Sequence, residues 1–186
     1  ANIVTWSPEK TKKKQEELNT LNKQTDDLQI FLMNVEALSS KRGVEVADKF
    51  LLCHRAMLAV DESTTIKSRT ANRTKSIIKL GKNAPYRRIL TGSPVTKSPL
   101  DLFTQCEFLN NNALGHTSFW TFQNRYAKMV RKNMGAHSFN QIVGYQNLSE
   151  LNELIEDFSF RVRKEDCLDL PDKVYTKRLV ELTPEQ

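Results

Sequence analysis

The chain has 186 residues, with 28 Lys and Arg against 22 Asp and Glu, a formal net charge of +6. At 39% hydrophobic and 27% charged it is rich enough in apolar residues for one core, and its length sets the scale of about one domain. No stretch approaches the roughly 18 apolar residues of a membrane span, and Ala1–Trp6 lacks a secretory pattern. Cys53, Cys106 and Cys167 are odd in number and never in Cys-x-x-Cys spacing, which argues against a disulfide framework or zinc ribbon. The expectation is a soluble intracellular domain with no membrane partner.

Apolar runs of strand length alternate with segments of helical period, the pattern of an α/β protein with parallel strands. Ser7-Pro8 predicts the start of a polar helix running to about Leu21. Leu28–Met33 reads as a strand, and Val44, Ala47, Phe50 and Leu51 fall on one face of a helix opening near Ser40. Ala56–Val60 predicts a second, buried strand that ends on Asp61-Glu62. A basic helix follows to about Leu80, with Gly81 as its C-terminal stop. Tyr86–Leu90 predicts a third strand running into Thr91-Gly92-Ser93-Pro94, and Ser98-Pro99-Leu100-Asp101 caps a helix carrying Leu102, Phe103 and Cys106 on one face. Residues 111–147 read as mostly helical elaboration with loops. An amphipathic helix starts near Ser149, and short strands are expected between Phe158 and Thr183 around Leu170-Pro171.

Charge is unevenly spread. Ser63–Leu100 holds no acid and nine cations (Lys67, Arg69, Arg73, Lys75, Lys79, Lys82, Arg87, Arg88 and Lys97), and Phe108–Ser149 again holds no acid, with Arg125, Lys128, Arg131 and Lys132. Such a band attracts phosphate polyanions, because each contact releases condensed counterions. A charge run by itself is equally the mark of a solvated helix face, so the band alone does not identify a nucleic-acid binder.

The chemistry lies at the strand ends, where open parallel sheets bind ligands. An acidic pair at a strand tip suits a nucleotide site, with one carboxylate holding Mg²⁺ through water and its neighbour orienting the attacking water. Alone it also starts ordinary loops, and Thr91–Pro94 alone is also an ordinary turn. Together they are more specific. A strand ending in Val60-Asp61-Glu62-Ser63-Thr64-Thr65-Ile66-Lys67-Ser68, a basic helix, and Arg88-Ile89-Leu90-Thr91-Gly92-Ser93-Pro94 some 30 residues on resemble the first motor domain of superfamily-two helicases, in the Swi/Snf-type branch of DNA-dependent ATPases. The likeness extends upstream to Met33–Leu38. Downstream it takes in Pro99–Phe103, Phe108-Leu109, Arg161–Lys173 and Glu181–Gln186, nearly the whole chain in family order.

That resemblance implies an α/β, RecA-like parallel sheet flanked by helices, incomplete at its N-terminus. Residues 1–110 would be the later part of motor domain one, 111–158 a helical protrusion, and 159–186 closing strands leading out to a second RecA-like domain. Asp61 would be the Mg²⁺-associated carboxylate and Glu62 the general base of ATP hydrolysis. Thr91, Gly92, Ser93 and Pro94 would couple nucleotide state to the nucleic-acid track. Lys67, Arg69, Arg73 and Lys97 are the candidate phosphate contacts, with DNA the expected partner and RNA left open. The family's Asp-Glu-x-His box here reads Asp61-Glu62-Ser63-Thr64, a variant suggesting a phage or bacterial member, hence the cytoplasm of a prokaryotic or phage-infected cell, with the nucleus as the alternative. Thr64 is expected to hydrogen-bond toward the Thr91 turn.

No Gly-x-x-x-x-Gly-Lys-Ser/Thr occurs in the sequence, so no backbone cradle or lysine for the β- and γ-phosphates is present. The chain therefore reads as a fragment of an ATP-dependent DNA helicase or translocase, inactive by itself. ATP and Mg²⁺ belong to the full-length parent, and none is expected on this piece. The alternative is a non-catalytic nucleic-acid-binding or partner-docking module derived from such a motor. His54, His116 and His137 are scattered without ligand spacing and predict no further metal site.

Overall fold

A computed structural model describes residues 1–135, 137–167 and 174–179. The chain opens with β1 (Asn2–Thr5), α1 (Lys12–Leu21) and β2 (Gln29–Leu32), and β1 and β2 pair in parallel with Ile3 opposite Ile30. After α2 (Lys41–Cys53) the same plan repeats as β3 (Met57–Val60), α3 (Asn72–Gly81) and β4 (Tyr86–Ile89), with Leu58 opposite Arg87. Each is a strand, a crossover helix and a parallel strand, the connection that parallel pairing demands. The fold is mixed α/β. The parallel strands stand as two separate two-stranded ladders, so a single continuous sheet is not what the described residues display.

Several boundaries differ from expectation for local reasons. The strand β1 is an addition to the expected elements. The first helix is capped by Thr11, whose hydroxyl accepts the Lys14 N–H, and does not start at Ser7-Pro8. The Arg42 guanidinium takes the Pro8 and Glu9 carbonyls, which ties that segment to α2 as a loop. At the start of α2, a Cβ on Gly43 would lie 2.2 Å from the Ala37 carbonyl oxygen, so only glycine lets the helix cross the preceding 3-10 turn (Val35–Ser39). Strand β3 is buried on one row only: Val60 is inside, whereas Met57 is 61% exposed. Between β3 and α3 the chain makes a 3-10 turn, Ser63–Ile66, so the basic helix starts later than expected. Gly81 is the last residue of α3, packed where a Cβ would sit 3.2 Å from the Phe108 ring; close packing, not a left-handed stop, accounts for it.

Ser98 caps a 3-10 turn (Pro99–Asp101) through the Leu100 N–H, and α4 (Leu102–Leu109) follows directly. This helix is buried nearly all round because it is a wall between two apolar clusters. Phe108 joins the first, with Val60, Ile66, Ile77 and Leu80. Leu102, Phe103 and Cys106 join the second, with Leu114, Phe122, Tyr126 and Leu151.

The second cluster draws Leu114, Phe122 and Tyr126 from the stretch expected to be mostly helical, and here the structure differs most. After α5 (Phe119–Tyr126) comes an antiparallel hairpin, β5 (Ala127–Met134) and β6 (His137–Tyr145), and then α6 (Leu148–Glu156). Gly135 opens the connection with φ of 61°, the positive value that hairpin turns require. Between Phe158 and Leu179 the described residues form one helical turn, α7 (Lys164–Cys167). The strands expected around Leu170-Pro171, and the likeness at 168–173 and 181–186, lie outside the described residues.

Candidate functional site

Strands β3 and β4 run side by side in parallel, so Asp61-Glu62 and Thr91–Pro94 leave adjacent strand ends. The pairing continues past both strands: the Leu90 N–H donates to the Val60 carbonyl at 2.9 Å and the Ser63 N–H to the Leu90 carbonyl at 3.0 Å. Asp61 and Glu62 are exposed. Glu62 has φ of 48° and ψ of 58°, left-handed backbone that costs a non-glycine residue roughly 1–2 kcal/mol. Its neighbours hold it there. Asp61 Oδ1 accepts the Glu62 N–H at 2.9 Å, and the Glu62 carbonyl accepts the Thr65 N–H and Thr65 hydroxyl, each at 2.9 Å. Strain held by surrounding bonds at a solvent-facing carboxylate is the arrangement of a pre-organised site.

Every buried polar side chain among the described residues serves the segment just after the acidic pair. The Ser63 hydroxyl donates to Gln105 Oε1 at 2.6 Å, the Thr74 hydroxyl to the Ile66 carbonyl at 3.3 Å, and the Thr104 hydroxyl to the Lys67 carbonyl at 2.9 Å. Gln105 Nε2 then donates to the Pro94 and Asp101 carbonyls, both at 2.8 Å. A buried polar group is costly unless bonded, so these bonds specify one arrangement of the loop. Gln105 thereby bridges the acidic box, through Ser63, to the turn after β4, through Pro94. Sequence reasoning missed this residue, which sits 42 positions from its partner in an apolar helix. The link expected of Thr64 is made by Ser63: among the described residues no hydrogen bond joins Thr64 to Thr91.

The Thr91 turn is itself closed locally. Thr91 Oγ1 accepts the Ser93 N–H at 3.2 Å, and the Ser93 hydroxyl donates to the Val95 carbonyl at 2.9 Å. Asp101 Oδ2 gathers the Thr96 N–H and hydroxyl and the Lys97 N–H. Burial alone would raise the Asp101 carboxyl, but the Lys97 and Thr96 donors outweigh it and hold it below the ordinary carboxylate value.

The candidate phosphate contacts separate into three places. Lys67 donates through Nζ to Thr96 Oγ1, beside exposed Lys97, so both sit against the Thr91 turn. Arg69 lies over the rings of Phe119 and Trp120, at 4.8 and 5.3 Å, on the second cluster. Arg73 donates to the Glu36 carboxylate at 2.8 and 3.0 Å and to the Thr65 carbonyl at 2.8 Å, a strut between the 3-10 turns at 35–39 and 63–66. The Cys106 thiol is pushed up to about 12 by burial and is no nucleophile.

Asp61 fits a water-bridged divalent cation, since Oδ2 has no partner among the described residues. No group of three or more His, Cys, Asp and Glu side chains forms a metal cage among them. The triphosphate does not fit this chain alone, because its sequence has no glycine-rich loop with an adjoining lysine.

The SNF2-related domain matches residues 3–186 of this sequence. The chain belongs to that family. As an SNF2-related domain it is 31% identical over 180 residues to the DNA annealing helicase and endonuclease ZRANB3 of Bos taurus, covering 92% of this chain and 16% of that protein. Against the TATA-binding protein-associated factor MOT1 of Saccharomyces cerevisiae it is 29% identical over 166 residues, 88% of this chain and 8% of that protein. It therefore spans about a sixth or less of these curated relatives' length. No solved structure matches. The relatives are eukaryotic, so neither the phage or bacterial leaning nor a prokaryotic cytoplasm, both inferred from the Ser63-Thr64 variant of the box, gains support. No helix among the described residues is long and apolar enough to cross a membrane.

Proposed function

We propose that the chain is part of the first motor domain of an ATP-dependent DNA helicase or translocase, carrying its acidic box and coupling turn. One observation carries this reading: the Asp61-Glu62 tip and the Thr91–Pro94 turn emerge from paired parallel strands and are bound together through Ser63, Leu90 and the buried Gln105 amide. In that motor Asp61 would hold Mg²⁺ through water, and Glu62 would accept a proton from the attacking water. ATP supplies the free energy. This chain supplies the carboxylates, their fixed backbone, and a turn that moves as one body with them. Gly92 supports the coupling role: a Cβ there would meet nothing within 4 Å, so packing inside the chain does not call for a glycine, whereas close approach of a partner backbone would.

Residues 1–110 form the motor part in this reading, 111–158 its protrusion, and 159–186 the path toward a second RecA-like domain. Exposed Met57 and Leu90, at 61% and 54%, suit parallel strands that further parts of the parent domain cover. Lys67 and Lys97 are the DNA-facing cations beside the turn, whereas Arg73 braces the box. A non-catalytic DNA-binding module is the second reading, favoured by the band of nine cations without acids.

ATP turnover separates them. The purified chain with duplex DNA is expected to show none, and turnover abolished by Glu62→Gln would mean that these residues contain the phosphate site after all. In the parent protein, Glu62→Gln is expected to abolish DNA-stimulated turnover and leave ATP binding intact. Unchanged turnover there would favour the non-catalytic module.

A further inference from the structure

The β5–β6 hairpin is not accounted for by the acidic box or the coupling turn. Among the described residues it is anchored only at its base. There Ala127 is buried, the Gln146 N–H donates to the Tyr126 carbonyl at 2.9 Å, and the side chains of Gln146 and Asn147 donate to the Arg125 carbonyl. Beyond that base the ribbon stands free, and every described residue from Val130 to Gln141 is exposed. A two-stranded ribbon with both faces in water is marginally stable by itself, so this one is suited to gaining order on a partner.

The register says what that partner is. Val130 pairs with Gln141, Lys132 with Phe139 and Met134 with His137, so these side chains share one face with Lys128. Lys128 and Lys132 lie four residues, about 13 Å, apart along the strand. Phe139, at 47% exposed, stands directly across from Lys132, and Met134, at 73%, lies near the tip. Arg131 is on the opposite face, where it donates to Ser138 Oγ at 2.9 Å. No acid occurs from Phe108 to Ser149, and none of these cations is in an ion pair among the described residues. Cations without counter-charges exclude a basic partner and select a polyanion. An exposed aromatic ring beside Lys132 selects a polyanion with open π-faces, which a single DNA strand offers and a stacked duplex does not.

We propose that this hairpin is a second nucleic-acid contact, separate from the Lys67–Lys97 edge, that holds a DNA single strand. Lys128 and Lys132 bind phosphates and Phe139 stacks on a base. The inference rests on the proposed DNA-motor reading, and the experiment distinguishes the failure of each.

The purified chain is titrated against a fluorescein-labelled oligothymidylate strand and against a labelled duplex of equal length, over a salt series. Phe139→Ala is expected to weaken single-strand binding by about tenfold and to leave the duplex nearly unchanged. Lys128→Gln/Lys132→Gln is expected to weaken single-strand binding and to flatten the slope of log K against log salt by about 1.4, twice the roughly 0.7 per phosphate of single strands. All three side chains are exposed, so folding is expected to survive, with far-ultraviolet circular dichroism as the check. Single-strand binding unchanged in both variants but lost in Lys67→Gln/Lys97→Gln overturns the hairpin site and leaves the motor reading standing. Equal losses on strand and duplex with Phe139→Ala overturn the single-strand assignment. No binding of either DNA by the unmodified chain overturns both.

Discussion

The loop after the acidic pair and the β5–β6 ribbon use polar atoms in opposite ways. Around the loop, Ser63, Thr74, Thr104 and Gln105 are all at or below 1% exposure, and every one is bonded to fix a backbone that includes a left-handed glutamate. On the ribbon, the charged and amide side chains face water and its two long strands lean on little beyond their own pairing. A site that must place a carboxylate within a fraction of an ångström is built by burying its supports. A surface proposed to follow a flexible polymer is left adaptable. Helix α4 joins the two regions, because it contributes Phe108 to one cluster and Phe103 and Cys106 to the other.

The largest effects test whether α4 makes the regions one cooperative unit. Phe108→Ala and Phe122→Ala each remove a fully buried ring and are expected to cost about 3–5 kcal/mol in urea unfolding. If α4 couples the clusters, each variant shifts one shared transition. A second, earlier transition in Phe122→Ala alone would show that the hairpin-bearing half melts independently. Next, Gln105→Leu leaves the Ser63 hydroxyl and the Pro94 carbonyl without their partner and is expected to cost about 2–3 kcal/mol. A loss under 0.5 kcal/mol in the same unfolding experiment would mean that the bridge does not stabilise the loop.

Titration separates the regions further. Burial first, and then the hydrogen bond to Glu150, push the Tyr126 hydroxyl up to about 12. A group raised on folding contributes stability below its unfolded value, near 10, and that contribution is lost as pH rises toward 12. A difference absorbance titration of the chain against Tyr126→Phe is expected to show no ionisation below about pH 11; an inflection near pH 10 would place this hydroxyl in water. The bond to Arg125, and then that from Tyr126, hold Glu150 below its ordinary value, so its contribution is present above the carboxylate range and lost as pH falls through the depressed value. The smallest effect is at the box. Glu62→Gly relieves left-handed strain and gives back part of the gain as backbone entropy, for a net stabilisation of about 0.5 kcal/mol in thermal unfolding. Destabilisation instead would mean that the Glu62 side chain supports the loop.

How much of this was legible differs by region. The β3 and β4 strands, the turn between Thr91 and Pro94, and the Ser98-Pro99 cap could be read because each is a local signal: an apolar run, a glycine-proline turn, a serine before a proline. The hairpin could not. Its cations and amides interrupt any alternation that a half-buried strand would show, and its turn lacks the Asn-Gly or Asp-Gly signature, although Val130, Phe139, Ile142 and Val143 on either side of Gly135 were a usable hint.

The sequence by itself determined the family, the Asp61-Glu62 pair, the Thr91–Pro94 turn and the basic band, because those are properties of neighbouring residues. Only the tertiary structure decided that Gln105 closes the box onto the turn, that Arg73 braces Glu36, and that the cations of 128–132 stand on a free ribbon. The first two depend on contacts between residues distant in the chain, and the third on a hairpin register that no local pattern records.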